Sequence, residues 1–290
     1  MKLAGIATVA WCMVPIFVLL GMLFAWRWRL DLQKERIPIS DKLLRPAGES
    51  LRRRIGELDD KLGEMLVFAF AAPLLAAIAI GASVPTISGA TLISPIMVGI
   101  AGFIWLANRF FRVLSERRNT ALGFHGERAV AEELNQLMLE GCRVFHDVPM
   151  DPYGNIDHVV VAPSGIYAVE TKTRRKRPVE SGKRDYEVVF TGKELEFPHG
   201  RDSHGIEQAR QQADRLRAYL TNAIGEQVSV IPILTLPGWM VASRVNGKLK
   251  VLNPKQIQKV VIRPSERLLS AQMIQRIVHQ LDQKCRDVEL

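Results

Sequence analysis

A run of 44 consecutive positions without a charged residue lies between Glu64 and Arg109 and constrains this fold most strongly. One straight helix over that run would be about 66 Å long, roughly twice the hydrocarbon thickness of a bilayer. Two spans of about 20 residues, joined by a turn at 83–89, fit better. The alternative is a buried helical hairpin of a soluble protein. The run therefore favours an all-α transmembrane hairpin at 65–108.

A second apolar run, from Leu3 to Trp26, also lacks charge. It ends in alternating Trp and Arg at 26–29, which is typical of an interfacial anchor. A cleaved signal peptide is the alternative, but the basic residues lie at its wrong end and no small-residue cleavage site follows. We therefore expect a first transmembrane helix at 1–30 and a polar or amphipathic linker at 31–64.

The flanking charges predict a topology. Segment 27–64 carries ten Lys/Arg against eight Asp/Glu, and 109–118 carries four against one, whereas the turn at 83–89 carries none. By the positive-inside rule, both basic segments and everything after 109 lie in the cytoplasm. This predicts a multi-pass protein of a bacterial-type inner membrane.

The linker contains an apolar stripe at helical spacing, formed by Leu51, Ile55, Leu58 and Leu62. Such a stripe is compatible with docking on the domain that follows, with pairing against another copy, or with lying on the membrane.

The segment from Gly154 to Lys172 indicates a β-hairpin, because two β-branched apolar runs flank a Pro-Ser-Gly turn. Side chains alternate along a strand, so Glu170 and Lys172 point the same way. A two-residue Ser164-Gly165 loop would place Asp157 opposite Lys172, with Glu170 one diagonal step away. Asp, Glu and Lys then converge on one face of an apolar hairpin.

These residue types suit a metal-dependent nuclease. Two carboxylates supply hard oxygen ligands for Mg²⁺, and the metal activates water and polarises a phosphate. A neighbouring lysine can orient that water or offset developing charge. The alternative is a solvated strand face with an ordinary cross-strand Asp–Lys pair.

The surrounding elements extend this pattern. A helix begins near Gly123, a strand covers 142–148, a second helix covers 206–220, and a buried strand covers 228–234. An amphipathic tail from Pro264 to Cys285 is expected to pack on the sheet, or otherwise to dimerise.

At residues 120–250 the chain resembles the nuclease-related domain (NERD) family of the PD-(D/E)xK nuclease superfamily. The resemblance rests on the following residues: Gly126-Glu127, Gly-x-Ile-Asp-His at 154–158, the Pro-Ser-Gly turn, Glu170-Thr171-Lys172 and Gln208-Ala209. It departs from the family in one respect, since Gly205-Ile206 stands where members usually carry Asn-Pro.

The resemblance implies an α/β fold, a restriction-endonuclease-like mixed sheet flanked by helices, behind the all-α transmembrane region. It implies that Asp157 and Glu170 bind Mg²⁺ or Mn²⁺ and that Lys172 is the catalytic lysine. Glu127 would be an accessory acid, and Gln208 would orient the site from the following helix.

Charge predicts a partner. Of the net charge of +9, +6 belongs to residues 1–118, so the remainder of the chain is only mildly basic. Its charge is concentrated in Arg174, Arg175, Lys176 and Arg177, directly after the second strand of the hairpin. A basic run beside a metal site suits phosphate binding without sequence preference. The alternative is a solvated loop.

These observations predict a nuclease domain at 109–252 and C-terminal helices packed on it at 253–290. The expected function is a membrane-anchored, cytoplasm-facing, Mg²⁺-dependent nuclease that hydrolyses DNA without strong sequence specificity. The alternative is a non-catalytic, membrane-tethered scaffold that binds DNA or protein. Expected partners are DNA, the lipid bilayer, and a second copy or a motor protein, because the chain has no Walker A motif of its own.

Overall fold

The computed structural model describes residues 18, 21–29, 42–83, 93–176, 185–263 and 268–288, with side chains at 72–83 and 93–96 left aside. The chain divides into two units, one of residues 1–43 with 288–290 and the other of residues 44–287. In the first unit, residues 21–29 are helical. Everything below concerns the second unit, apart from the short strands Leu43–Leu44 (β1) and Arg286–Val288 (β11), which pair with each other.

Two long helices open this unit, α1 at Glu49–Ser83 and α2 at Ile93–Asn135. The apolar stripe of the linker lies in α1, and its Leu58 and Leu62 are buried. The two helices are also joined by ion pairs, Arg54 to Glu116 at 2.6 Å and Arg117 to Asp59. The stripe therefore docks within its own chain, which is the first of the three possibilities.

Both helices run through boundaries at which the sequence predicted a change of segment. The expected limit between linker and membrane hairpin, at 64–65, falls inside α1. The expected limit between membrane hairpin and nuclease domain, at 108–109, falls inside α2. Each helix is continuous from its polar part into its apolar part, so the change in polarity along the sequence does not coincide with a helix end.

Among the described residues, one helical stretch, Met97–Glu140, is long and apolar enough to cross a membrane. It comprises most of α2 and the short 3₁₀ turn Gln136–Glu140. The three-span arrangement is thus not reproduced in the described part of the chain. Most of the first expected span and the turn at 84–92 lie outside the described residues.

A five-stranded mixed sheet forms the centre of the unit, in the order β10-β8-β4-β3-β2. Its strands have the following bounds: β2 Arg143–Pro149, β3 Asn155–Ala162, β4 Gly165–Thr171, β8 Val230–Thr235 and β10 Lys250–Leu252. The first three strands are antiparallel, whereas β4, β8 and β10 are parallel. This is the mixed α/β sheet flanked by helices that the sequence predicted.

Helices cover both faces of that sheet, which explains why β3 is apolar at successive positions rather than alternating. On one face, α3 (His204–Ile224) and α5 (Ala271–Cys285) pack on side chains that include Val159 and Val161. On the other face, the C-terminal half of α2 and the short helix α4 (Pro254–Val261) pack on Val160. The C-terminal tail therefore packs on the sheet, as expected.

A second sheet of four short strands was not predicted. It runs in the order β7-β6-β5-β9, with β5 at Glu187–Phe190, β6 at Leu195–Phe197, β7 at Gly200–Asp202 and β9 at Met240–Ser243. Its apolar side chains pack with Ile206 and Ala209 at the start of α3. The sheet thus forms a wall beside the end of β4.

Candidate active site

The β3–β4 hairpin brings Asp157 and Glu170 together. Ala162 pairs with Gly165, so the turn is Pro163-Ser164 and not the expected Ser164-Gly165. The register moves by two residues, which leaves every side chain on its expected face. Asp157 consequently lies opposite Glu170 instead of Lys172.

The turn takes this position because Ser164 is held from outside the hairpin. Its hydroxyl donates to the backbone carbonyl of Val261 at the end of α4 and shares a 2.9 Å hydrogen bond with the Tyr167 hydroxyl. A hydrogen bond to a residue 97 positions away is not visible in local turn patterns.

Asp157 and Glu170 are crowded carboxyl groups. The backbone amide of Thr171 donates to Asp157 Oδ2 at 2.7 Å. Burial raises the pKa of Asp157 well above its usual range, and the Glu170 and Glu127 carboxyls raise it further. Glu170 is only 3% exposed, and burial raises its pKa to about 7, although Lys172 and a hydrogen bond from Gln212 oppose that rise.

Lys172 lies just past the end of β4 and faces α3. Its Nζ donates to Gln208 Oε1 at 3.4 Å, and its backbone amide donates to the Thr235 carbonyl at 2.9 Å. Gly205 lies close by, with the position of an added Cβ 3.6 Å from Lys172 Cγ. The Gly205-Ile206 departure from the family pattern therefore leaves Gln208 beside the lysine.

Gln212 was missed by the sequence analysis. Its Nε2 donates to Glu170 Oε2 at 2.6 Å and to the Asn155 carbonyl at 3.2 Å. It lies one helical turn after Gln208, so both glutamines project from one face of α3. That i, i+4 spacing in an amphipathic helix was the signal in the sequence that would have found it.

Glu127 approaches the same carboxyl groups from α2. It is 7% exposed, and its Oε2 has no hydrogen-bond partner among the described residues. Burial, with smaller contributions from Asp147 and Glu170, raises its pKa to about 8. The preceding Gly126 permits this approach, because a Cβ there would lie 2.3 Å from Thr173 Cγ2.

A fourth carboxylate, Asp147, lies nearby but is fully engaged elsewhere. It accepts hydrogen bonds from the Ser50 amide and hydroxyl, at 2.9 and 2.6 Å, and from Asn155 and Arg45. Its φ of +48° is unusual for a residue other than glycine. Asp147 therefore ties the start of α1 to the sheet, beside the site.

His158 follows Asp157 and points to the opposite side of the strand, as expected. It is buried, and its Nδ1 lies 2.9 Å from Nδ1 of His146. Burial lowers the pKa of both rings, that of His146 to about 4. The pair belongs to the packing of the sheet.

The acidic residues suit a divalent cation. Among the described side chains, no three His, Cys, Asp or Glu residues form a ready metal cage. Mg²⁺ does not require one, because one or two carboxylates with water and phosphate complete its octahedron. The buried Glu127 Oε2, which has no hydrogen-bond partner among the described residues, fits this chemistry, because a cation would supply the partner that these carboxyl groups lack.

A cavity of about 570 Å³ opens beside Lys172 and is walled by the basic run. Arg174 stacks over the Phe197 ring at 4.3 Å, and Arg175 donates to Asn119 Oδ1 at 2.7 Å. Lys176 Nζ lies 5.6 Å from the Trp239 ring centre. The run is thus fixed along one wall of the cavity, and Arg177 lies outside the described residues.

The segment that carries this geometry has a counterpart among protein families. Residues 122–237 match the model of the nuclease-related domain (NERD). The match starts in α2, ends just after β8, and includes all five side chains predicted for the site. No curated protein and no solved structure is detectably similar to the chain.

Proposed function

We propose that this chain is a membrane-anchored, cytoplasm-facing, Mg²⁺-dependent nuclease that hydrolyses DNA phosphodiester bonds without strong sequence specificity. The observation that carries the proposal is the convergence of Asp157, Glu170 and Lys172 at one end of the sheet, within a nuclease-related domain.

Asp157 and Glu170 would hold Mg²⁺, or Mn²⁺, through carboxylate oxygens. The bound metal would polarise the scissile phosphate and lower the pKa of a coordinated water. Gln212 fixes the orientation of Glu170 through its 2.6 Å hydrogen bond. Gln208 keeps the ammonium of Lys172 at the rim of the cavity, where it can orient the attacking water or offset phosphate charge.

Glu127 completes the acidic group as an accessory residue. With a pKa raised to about 8 by burial, its carboxyl is mostly protonated at neutral pH when no cation is bound. It is therefore able to exchange a proton with water near the other two carboxylates.

The walls of the cavity support a polynucleotide substrate. Arg174, Arg175 and Lys176 line it together with Lys172, so phosphates entering the cavity meet positive charge. Contacts of that kind hold the backbone of DNA and carry no sequence information.

The helical stretch Met97–Glu140, which includes most of the apolar half of α2, supports the anchor, since by length and composition it could span a bilayer. The basic segments 27–64 and 109–118 support a cytoplasmic domain at a bacterial-type inner membrane. A second copy or a motor protein remains part of the proposal as a partner, because the sequence lacks a nucleotide-binding loop.

The test is a cleavage assay with the full-length protein in detergent, on linear, circular and single-stranded DNA, with Mg²⁺ or EDTA. Asp157→Asn and Glu170→Gln should each lower Mg²⁺-dependent cleavage by at least about a hundredfold, because each removes a metal ligand. Glutamine suits position 170 better than alanine, because Glu170 is buried and its replacement should keep the volume. Lys172→Ala should slow cleavage and spare metal binding.

Glu132→Gln provides the matched control, because Glu132 is an exposed carboxylate on α2 outside the site. It should cleave like the wild type. Protein that binds DNA but cuts none of the three substrates would contradict the nuclease and favour the tethered scaffold.

A further inference from the structure

A groove of about 750 Å³ runs between α1 and the apolar half of α2. Its walls are apolar and include Met65, Phe68 and Phe103. Gly99 and Gly102 line it, and a Cβ added at either would meet no atom within 4 Å. The groove is therefore an open cleft produced by two glycines on one helix face, and the neighbouring helix does not fill it.

At one end the groove continues into a polar pocket of about 290 Å³, with which it shares Trp105 and Arg109. Lys61 and Arg112 line this pocket with Arg109. Arg109 stacks over Trp105 at 5.5 Å, in the manner of a membrane-interface pair.

The cations at this mouth are available. Within the described residues, no ion pair joins Lys61, Arg109 or Arg112 to a carboxylate. Two acids border the same space, but Glu116 is paired with Arg54 at 2.6 Å. That leaves three cations against Glu64, so the mouth favours an anion.

We propose that the cleft binds one anionic phospholipid, with an acyl chain along the Gly99–Gly102 face and the headgroup phosphate against Lys61, Arg109 and Arg112. The proposal rests on the membrane anchor of the proposed function and is independent of the nuclease chemistry.

The chemistry of the two ends favours this occupant. Hydrocarbon suits an apolar cleft with small residues on its floor, and a basic pocket between membrane helices suits a phosphate headgroup. A transmembrane segment of this chain or of another copy would fill the cleft but would leave the three cations without a counter-charge.

The experiment measures lipid binding by the full-length protein in nanodiscs of phosphatidylcholine with or without phosphatidylglycerol. Fluorescently labelled phosphatidylglycerol should bind saturably and should be displaced by unlabelled phosphatidylglycerol but not by phosphatidylcholine. Arg109→Gln combined with Arg112→Gln should weaken binding by about tenfold or more, since each cation near a membrane surface contributes of the order of 1 kcal/mol.

Two further variants separate the cleft from general surface charge. Gly102→Leu should displace the acyl chain while leaving the protein folded, because its side chain enters open space and leucine is a better helix former than glycine. Arg128→Gln removes an exposed cation from the same helix, about 24 Å beyond Arg112 along the helix axis. This variant should bind lipid as the wild type does.

Equal binding of the two lipids, or normal binding by Gly102→Leu, would overturn the lipid site. Increased lipid binding after deletion of residues 1–26 would also overturn it, because that segment would then occupy the cleft. Protein that fails to enter any bilayer would contradict the anchor itself, which distinguishes the two failures.

Discussion

Three carboxyl groups share the end of the central sheet, and their mutual proximity dominates the chemistry of this site. Asp157, Glu170 and Glu127 all have raised pKa values, with burial as the largest cause. Burial therefore disfavours the charged form of all three carboxyls, and without a cation they retain protons to a higher pH than carboxyls in water do. A divalent cation would replace those protons and remove the repulsion.

This arrangement predicts how stability depends on pH. A carboxyl whose pKa is raised in the folded state stabilises the fold below its unfolded pKa, and that stability is lost as pH rises through the folded pKa. With folded pKa values of about 7 for Glu170 and about 8 for Glu127, the loss should extend to about pH 8. In EDTA, the unfolding temperature should therefore still be falling between about pH 6.5 and 8 and should level off above pH 8.

Mg²⁺ should reverse that fall, and its stabilising effect should be larger at the higher pH, because the ligands must be deprotonated to bind. Thermal unfolding in detergent measures both effects. In the double variant Glu127→Gln, Glu170→Gln, the unfolding temperature should depend less on pH than in the wild type. His146 acts mainly below this range, because its pKa is lowered from 6.5 to about 4, so its proton binding differs between the folded and unfolded states mainly between those two values. An unfolding temperature that does not change with pH in EDTA would contradict the raised pKa values of Glu127 and Glu170.

The basic wall makes a separate prediction about binding. Replacing Arg174, Arg175 and Lys176 with Gln should weaken affinity for duplex DNA and reduce the salt slope by about 0.9 for each phosphate that the variant no longer neutralises. Binding at several salt concentrations, in Ca²⁺ to prevent cleavage, measures that slope. Arg217→Gln is the control, because Arg217 is an exposed arginine on α3, outside the cavity. An unchanged slope would mean that the run is only a solvated surface.

At the scale of elements, the β3–β4 hairpin shows what local sequence can predict. The alternation of side chains predicted Asp157, Glu170 and Lys172 on one face. The structure brings the Asp157 and Glu170 carboxyls together and places Lys172 beside Gln208, just past the end of β4. The turn was predicted one residue too far along, because Ser164 is fixed by a hydrogen bond to Val261 in α4. The error shifts the pairing register by two residues, and side chains alternate with a period of two, so the predicted residues remain on the same face.

Other parts of the site depend on contacts that no local pattern contains. Asp147 lies beside the acidic residues, but its oxygens accept hydrogen bonds from Ser50 and Arg45, which lie about a hundred positions away in the sequence. The four-stranded sheet escaped prediction because its strands have only three or four residues and pair β5 with β9 across some 50 positions. Short strands with distant partners give little periodic signal.

The packing of α1 on α2 makes a prediction about stability. Leu58 is only 1% exposed, so Leu58→Ala should lower the free energy of unfolding by about 2–5 kcal/mol. Glu57→Ala, next to it on the exposed side, should change the free energy of unfolding much less, since it removes only a solvent-screened surface ion pair with Arg54. Thermal unfolding, with hydrogen exchange of the amides in α1, measures both. Equal effects of the two variants would contradict the docked arrangement of the helices.

At the scale of the whole molecule, α2 joins the apolar segment to the site without a break. The helix leaves its apolar half at Arg109 and reaches Glu127 18 residues later, about 27 Å further along its axis. If α2 crosses a bilayer, the site is held at that distance from the membrane surface by a continuous helix. No flexible linker lies between these two points of the helix, so the proposed nuclease would meet DNA only at the membrane.

The orientation of α2 in the membrane therefore decides which DNA the site can reach, and cysteine labelling tests it. By the positive-inside rule, the basic residues of 27–64 and 109–118 predict a cytoplasmic domain, and the uncharged turn at 83–89 should lie outside. In a variant with Cys12 replaced by Ser, a membrane-impermeant maleimide applied to intact cells should label a cysteine introduced at Ser88, which lies outside the described residues. The native Cys142 and Cys285 are buried and should stay unlabelled in folded protein.

A cysteine introduced at Glu132 should instead be labelled only after lysis, because Glu132 is exposed on the domain side of α2. The two positions are matched, because the helix Ile93–Asn135 follows the expected turn and carries Glu132, so the two positions lie on opposite sides if that helix spans the bilayer. Labelling of both in intact cells would mean that α2 does not span the bilayer, whereas labelling at Glu132 but not at Ser88 would mean that the domain faces outward. The same acidic site would then act on DNA outside the cytoplasm, because a continuous helix cannot bring it back across.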